Sequence, residues 1–115
     1  MMLLYIFLYM RVYVISADID GKKRYKIGYT KREVYKRLKE LKTSNSANLE
    51  IELVIESKWA TKIEKELHRR FKDFKINGEW FNLNEEDMET IRQVSYITHE
   101  NHNLSEDFQN ELKKY

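Results

Sequence analysis

The run from Arg11 to Gly28, RVYVISADIDGKKRYKIG, constrains this chain most. Arg11–Ala17 is rich in β-branched and aromatic residues, Asp20-Gly21 is a turn dipeptide, and Arg24–Gly28 resumes an extended pattern. That is the signature of a β-hairpin. One residue in it is out of character. A glycine inside a strand costs entropy and packs nothing, so Gly28 calls for a close approach, by a phosphate or by the following helix. Alternation puts Lys26 on the same face as Gly28.

Beyond the hairpin, Val34, Leu38 and Leu41 recur at helical spacing among lysines and arginines. Thr43–Asn48 reads as a polar loop. In LEIELVIES, Leu49, Ile51, Leu53 and Ile55 alternate with Glu50, Glu52, Val54 and Glu56, which predicts a third strand with one buried face. Ser57 is placed to cap the next helix, whose stripe is Ile63, Leu67, Phe71 and Phe74. Asn77-Gly78 turns the chain into a short extended piece, EWFNL. Asn84 caps an acidic helix start, and a last helix is expected after Ser105, with Phe108 and Leu112 on one side. The expected fold is α+β: a small three-stranded, mostly antiparallel sheet flanked by helices in the order β-β-α-β-α, plus C-terminal helices.

Charge divides this plan. Residues 11–83 hold 18 Lys/Arg against 11 Asp/Glu, whereas residues 84–115 hold 3 against 8. The first part can attract a polyanion and the second would repel one. The chain therefore divides into an apolar extension (1–10), a basic domain (11–83) and an acidic helical extension (84–115). Ten apolar residues are too few to span a bilayer, and they lack the charged start and small-residue end of a signal peptide, so no membrane partner is expected. Met10, just before the first strand, is a candidate translation start; the alternative is that 1–10 extends the strand. The absence of cysteine excludes disulfides and thiolate metal sites, and fits a cytoplasmic location.

The motifs resemble the GIY-YIG nuclease superfamily. VYV (Val12–Val14) takes the place of the first motif and KIG (Lys26–Gly28) that of the second. Arg37 lies on the following helix, and IEKELHRRF and NGEWFNL come later in the right order. The last two, with YKRLKEL, resemble the phage open-reading-frame-172 branch. The resemblance covers about residues 11–83. It implies a metal-dependent DNA endonuclease of bacterial or phage origin, using Mg²⁺ or Mn²⁺. It further implies that Tyr13 is the base or water-positioner, that Arg37 holds phosphate oxygens and that Glu64 ligates the metal. Many members carry tyrosine where this chain has Lys26; the lysine would bind phosphate or lower the Tyr13 pKa.

Other candidates rest on position. His68, one helical turn after Glu64, could orient it or carry a proton. Tyr29 and Lys31, after KIG, and Arg69 and Arg70 could contact DNA backbone. Each has a plainer reading: Arg37, Arg69 and Arg70 as a solvated helix face, Glu64-His68 as a surface pair, and Trp80-Phe81 as core closure. Glu79 could interact with a basic helix or support the site, and is not assigned a catalytic part. The alternatives to a nuclease are an inactive nucleic-acid-binding module of the same fold, or a protein-interaction module docking through its acidic helices. A chain this compact has no recognisable groove-reading helix, so a partner protein would supply targeting.

Overall fold

The computed structural model describes residues 10–44 and 48–114. The apolar extension before Met10 and the middle of the predicted polar loop, residues 45–47, lie outside them. Strand β1 (Arg11–Ile19) and strand β2 (Lys22–Thr30) form the expected hairpin. Its two turn residues, Asp20 and Gly21, have φ of 54° and 77°, the left-handed pair that a tight two-residue turn requires. Helix α1 (Val34–Ser44), strand β3 (Leu49–Glu56) and helix α2 (Ala60–Arg70) follow. A 3-10 turn (Lys72–Phe74), strands β4 (Lys75–Asn77) and β5 (Trp80–Phe81) and helix α3 (Glu85–Leu112) complete the chain.

The fold is α+β, but the sheet has five strands, not three, in the order β3-β1-β2-β5-β4. The two added strands come from the Asn77-Gly78 turn. Gly78, with φ of 54°, folds β4 back on β5, and β5 then pairs with β2, Tyr25 opposite Phe81 and Lys26 opposite Trp80. All of these pairings are antiparallel.

Both faces of the sheet are covered. On one, Val12, Val14, Tyr25 and Ile27 pack with Ala60, Ile63, Leu67 and Phe71, and with Phe81, Leu83 and Ile91. On the other, Tyr13, Ile15, Ala17 and Leu49 pack with Val34 and Leu38 of α1. The expectation of one buried face for β3 needs correction. Val14 pairs with Leu53 and Ile15 with Ile51, so Glu52 is an extra, bulged residue. The bulge exchanges faces: Leu53 and Ile55 lie against the α2 side, Leu49 against the α1 side. The Glu52 carboxylate accepts a 2.7 Å hydrogen bond from Ser16 and pairs with Lys23, which satisfies the irregular point.

The predicted stripe of α2 also stops short. Ile63, Leu67 and Phe71 are buried, but Phe74 lies in the 3-10 turn and is exposed. Ser57 does not cap α2 as a helical N-cap; its hydroxyl accepts the Trp59 N–H in the turn before the helix. The two expected C-terminal helices are one. Asn84 caps α3 in a reciprocal box with Asp87, and between them and Leu112 there is neither glycine nor proline to stop the helix. Ser105 is simply a helical residue. Ile91 is fully buried in the same cluster as Ile63 and Leu67, so the first half of α3 is part of the core. The distal half is anchored to the turn before α2: Trp59 Nε1 donates to Asn103 at 2.7 Å, Ser57 bonds His99 at 2.6 Å and Lys58 pairs with Glu106.

Candidate active site

The hairpin register determines which side chains meet. Tyr13 stands opposite Gly28, and Ile15 opposite Lys26, so Tyr13, Gly28 and Lys26 share the α1 face of the sheet. The Tyr13 ring lies across Gly28. A Cβ at residue 28 would stand 2.4 Å from the phenol oxygen and 2.6 Å from Cζ. Gly28 is therefore required by the tyrosine of the neighbouring strand, which fills the space that sequence reading reserved for a phosphate or a helix.

Helix α1 brings Arg37 over this face. Its Nε donates a 3.3 Å hydrogen bond to the Tyr13 hydroxyl, and its Nη1 pairs with Glu40 at 3.1 Å. From the other side α2 supplies Glu64. Its carboxylate takes a hydrogen bond from the Tyr29 backbone and lies close enough to Tyr13 to act on its ionisation. One carboxylate oxygen, Oε2, is buried and has no hydrogen-bond partner. A buried acceptor left unsatisfied costs on the order of 1–3 kcal/mol, so this oxygen is a strong acceptor for something that binds there.

Glu79, expected only to meet a basic helix or support the site, joins the cluster through a partner that was not foreseen. The β4–β5 turn carries it to Lys26, whose Nζ lies 2.5 Å from Glu79 Oε2 and 5.8 Å from the centre of the Trp80 ring. The only sequence signal was its place in GEWF, and nothing local could name its partner 53 residues away. The finding corrects the expected part of Lys26. Lys26 is mostly buried and neutralises Glu79, whereas the cation bonded to the phenol is Arg37.

The electrostatics follow from burial. The Tyr13 phenol is pushed above its ordinary value by desolvation, with the Glu79 and Glu64 charges adding to it and Arg37 opposing. Tyr13 is therefore a neutral phenol at pH 7, not a resting phenolate. The Glu64 carboxyl is likewise raised, first by burial and then by Glu79; His68, Lys26 and the Tyr29 backbone bond pull the other way.

The remaining candidates lie around this cluster. His68 turns to the β2 backbone, bonding the Ile27 carbonyl at 2.8 Å, and packs edge-on against Phe81 at 5.0 Å. Tyr29 and Lys31 are exposed at the end of β2. Arg69 is forked onto Glu66 of its own helix, and Arg70 lines a groove against α3 with Val94 and His102. The HRR cluster thus diverges, and neither arginine joins Tyr13.

Among the described residues no three His, Cys, Asp or Glu side chains form a metal-binding group. Glu64 with Glu79 beside it offers instead the sparse carboxylate site that suits Mg²⁺, a cation that keeps most of its water. The unsatisfied Glu64 oxygen fits that assignment. Among the described residues no helix is long and apolar enough to cross a membrane.

Comparison with curated proteins and with solved structures gives no match. The T5orf172 domain, by contrast, matches residues 10–95, from the residue before β1 to the buried Ser95 of α3. The span takes in the hairpin, α1, α2, the GEWF turn and the core half of α3, and so every residue of the Tyr13 cluster: this chain belongs to the T5orf172 domain family, a family associated with nuclease-type domains.

Proposed function

We propose that the protein is a metal-dependent endonuclease of the GIY-YIG type that hydrolyses phosphodiester bonds in DNA. The observation that carries this reading is the buried, unsatisfied Glu64 oxygen beside a phenol bonded to a guanidinium. A purely structural carboxylate would be solvated or paired.

Glu64, with Glu79 behind it, is the site for Mg²⁺ or Mn²⁺. A divalent cation there would supply charge stabilisation to the phosphoryl oxygens and acidify bound water. Tyr13 acts as the water-positioner. Its oxygen accepts from Arg37 Nε, which leaves its own proton free to point at the attacking water or at a phosphate oxygen. Accepting the water's proton requires the phenol to ionise, and the adjacent guanidinium favours that form. Arg37 retains N–H donors beyond those used on Tyr13 and Glu40 for a non-bridging phosphate oxygen. Lys26 keeps Glu79 neutralised, so that the carboxylate pair does not repel the substrate. His68 holds the β2 backbone next to Gly28 and positions the strand; it is not needed as a base.

The competing reading is an inactive nucleic-acid-binding module, favoured by the engagement of Arg37 with Glu40 and of Lys26 with Glu79. One experiment separates the two. Purified protein and its Glu64→Gln variant are incubated with labelled DNA in Mg²⁺, Mn²⁺ or EDTA. Cleavage by the wild type, abolished by EDTA and by Glu64→Gln, is expected; binding without cleavage in either metal would overturn the nuclease reading.

A further inference from the structure

A second feature of the α1 face lies beyond the Tyr13 cluster. The β1–β2 register places Arg24 opposite Ala17 and Lys22 opposite Ile19, so both continue the face that carries Gly28 and Lys26. They run into a cleft of about 460 Å³ between the hairpin tip and the β4–β5 turn. Its walls are Ile19, Asp20, Lys22, Arg24, Ile76, Asn77 and Trp80. A volume of this order accommodates a small ligand or a nucleobase.

The lining has two chemistries. Lys22 and Arg24 make no ion pair with any described residue, unlike Lys26 and Arg37 in the cluster. Among the described residues their only acidic neighbour in the cleft wall is Asp20, with which neither forms an ion pair. Opposite them, Trp80 and the exposed Ile76 give an apolar wall, and Asn77 adds an amide that can both donate and accept. A cationic track with an aromatic wall is the combination that binds single-stranded nucleic acid: phosphates take the charges and a base takes the ring.

Stacking distinguishes a single strand from a duplex: only an unpaired base can lay its face on the Trp80 ring. Alternate residues of a strand are about 6.6–6.8 Å apart. Neighbouring phosphates along a nucleic-acid strand are separated by a similar distance, whether the strand is paired or not. Arg24 and Lys22, at alternate positions of β2 beyond the Glu79-paired Lys26, therefore keep step with successive phosphates of a strand. Asp20, at the tip, marks the end of the phosphate track. Its carboxylate repels phosphate but can accept from the exocyclic amino group of a base.

We infer that the cleft lined by Lys22, Arg24, Ile76, Asn77 and Trp80 is a subsite for an unpaired nucleotide, two to three positions along the strand from the phosphate held at Tyr13. The substrate would then carry a single-stranded flank or flap. This rests on the nuclease reading for its direction, but the subsite can be tested without catalysis.

The test is binding of a short labelled oligothymidylate in EDTA, by fluorescence anisotropy over a range of salt. The full chain and a Lys22→Ala/Arg24→Ala double variant are compared. The double variant should bind about tenfold more weakly or worse, with the slope of log K against log salt reduced by about 1.4, two single-strand contacts at about 0.7 each. In a Trp59→Phe background, the oligonucleotide should quench the remaining indole, that of Trp80. Unchanged affinity in the double variant, or no quenching, overturns the subsite. So does a blunt duplex that binds as tightly through the same two residues. Should the wild type cleave DNA while the double variant binds and cleaves normally, the subsite fails and the nuclease reading stands. Normal single-strand binding with no cleavage in any metal would have the reverse meaning.

Discussion

The Tyr13 hydroxyl accepts its hydrogen bond from Arg37 Nε, at 3.3 Å, and not from Lys26 two strand positions away. The planar guanidinium can touch the phenol with one N–H while others remain for phosphate. An ammonium at the same place would be a single point of charge. Arg37→Lys should therefore leave stability within about 0.5 kcal/mol, since the side chain is partly exposed. It should lower the cleavage rate by about 10²–10³, the usual loss for one transition-state donor. Arg37→Met should raise the Tyr13 pKa further, because the guanidinium is what opposes burial. Carbon-labelled tyrosine followed by NMR against pH would read this; an unmoved Tyr13 titration would refute the contact.

Gly28→Ala tests the other side of the same ring. The added methyl would stand 2.4 Å from the phenol oxygen, so one strand or the tyrosine must move. A loss of about 1–3 kcal/mol is expected, as for other overpacked sites. Tyr13→Ser combined with Gly28→Ala should regain much of that loss relative to Tyr13→Ser alone. Denaturant melts of the four proteins give the coupling, and strict additivity would show that the two residues do not compete for one space.

Glu64 makes a pH prediction. Its folded pKa is raised, so the folded state holds the proton more tightly than the unfolded state does. Above the folded pKa the ionised carboxylate carries an unfavourable term. That term is relieved as pH falls through the folded pKa toward the ordinary carboxyl value. Glu64→Gln should thus be more stable than wild type at neutral pH, by under about 1 kcal/mol given its partial exposure. The difference should shrink on acidification. Mg²⁺ should raise the melting temperature of the wild type and not of the variant. Equal stability at all pH values, with no metal effect, would remove Glu64 from the site.

The Lys26–Glu79 pair predicts an asymmetric result. Glu79→Gln leaves a mostly buried ammonium without its carboxylate, and Lys26→Met leaves a carboxylate that is 40% exposed and can rehydrate. The first should destabilise more than the second. A double-mutant cycle should give a coupling of about 1 kcal/mol, limited by the solvent around Glu79. Glu79→Gln should also lower the Tyr13 and Glu64 pKa values, since its charge raises both. If Lys26→Met instead altered only the pH dependence of cleavage and left the cycle uncoupled, the lysine would be acting on the phenol.

What could be read in advance follows the range of the interactions. The Asp20-Gly21 hairpin, the Asn84 cap and the α1 stripe depend on neighbours within a few positions, and the sequence carries them openly. The order of Tyr13, Arg37 and Glu64 was visible through resemblance. The bulge at Glu52 was not, because an alternating pattern looks the same with or without an extra residue until its partner strand is known. Nor was the addition of β4 and β5, where three-residue and two-residue strands have no period of their own. Lys26 was read as a phosphate ligand or a neighbour of the phenol, because Glu79 reaches it only through that addition. Helix α3 was divided at Ser105 on a capping signal that no stop signal supported.

Helix α3 also governs how the molecule moves through solution. At about 1.5 Å per residue its 28 residues make a rod of about 42 Å, in a molecule 59 Å long and 20 Å across its thinnest direction. The radius of gyration, 15.8 Å, exceeds the roughly 13 Å expected of a compact chain of this length. Drag on such a body is larger than on a sphere of equal mass. A single copy will leave a gel-filtration column early, at the volume of a heavier globular standard. Its true mass, 14.1 kDa, will emerge only from sedimentation equilibrium or light scattering.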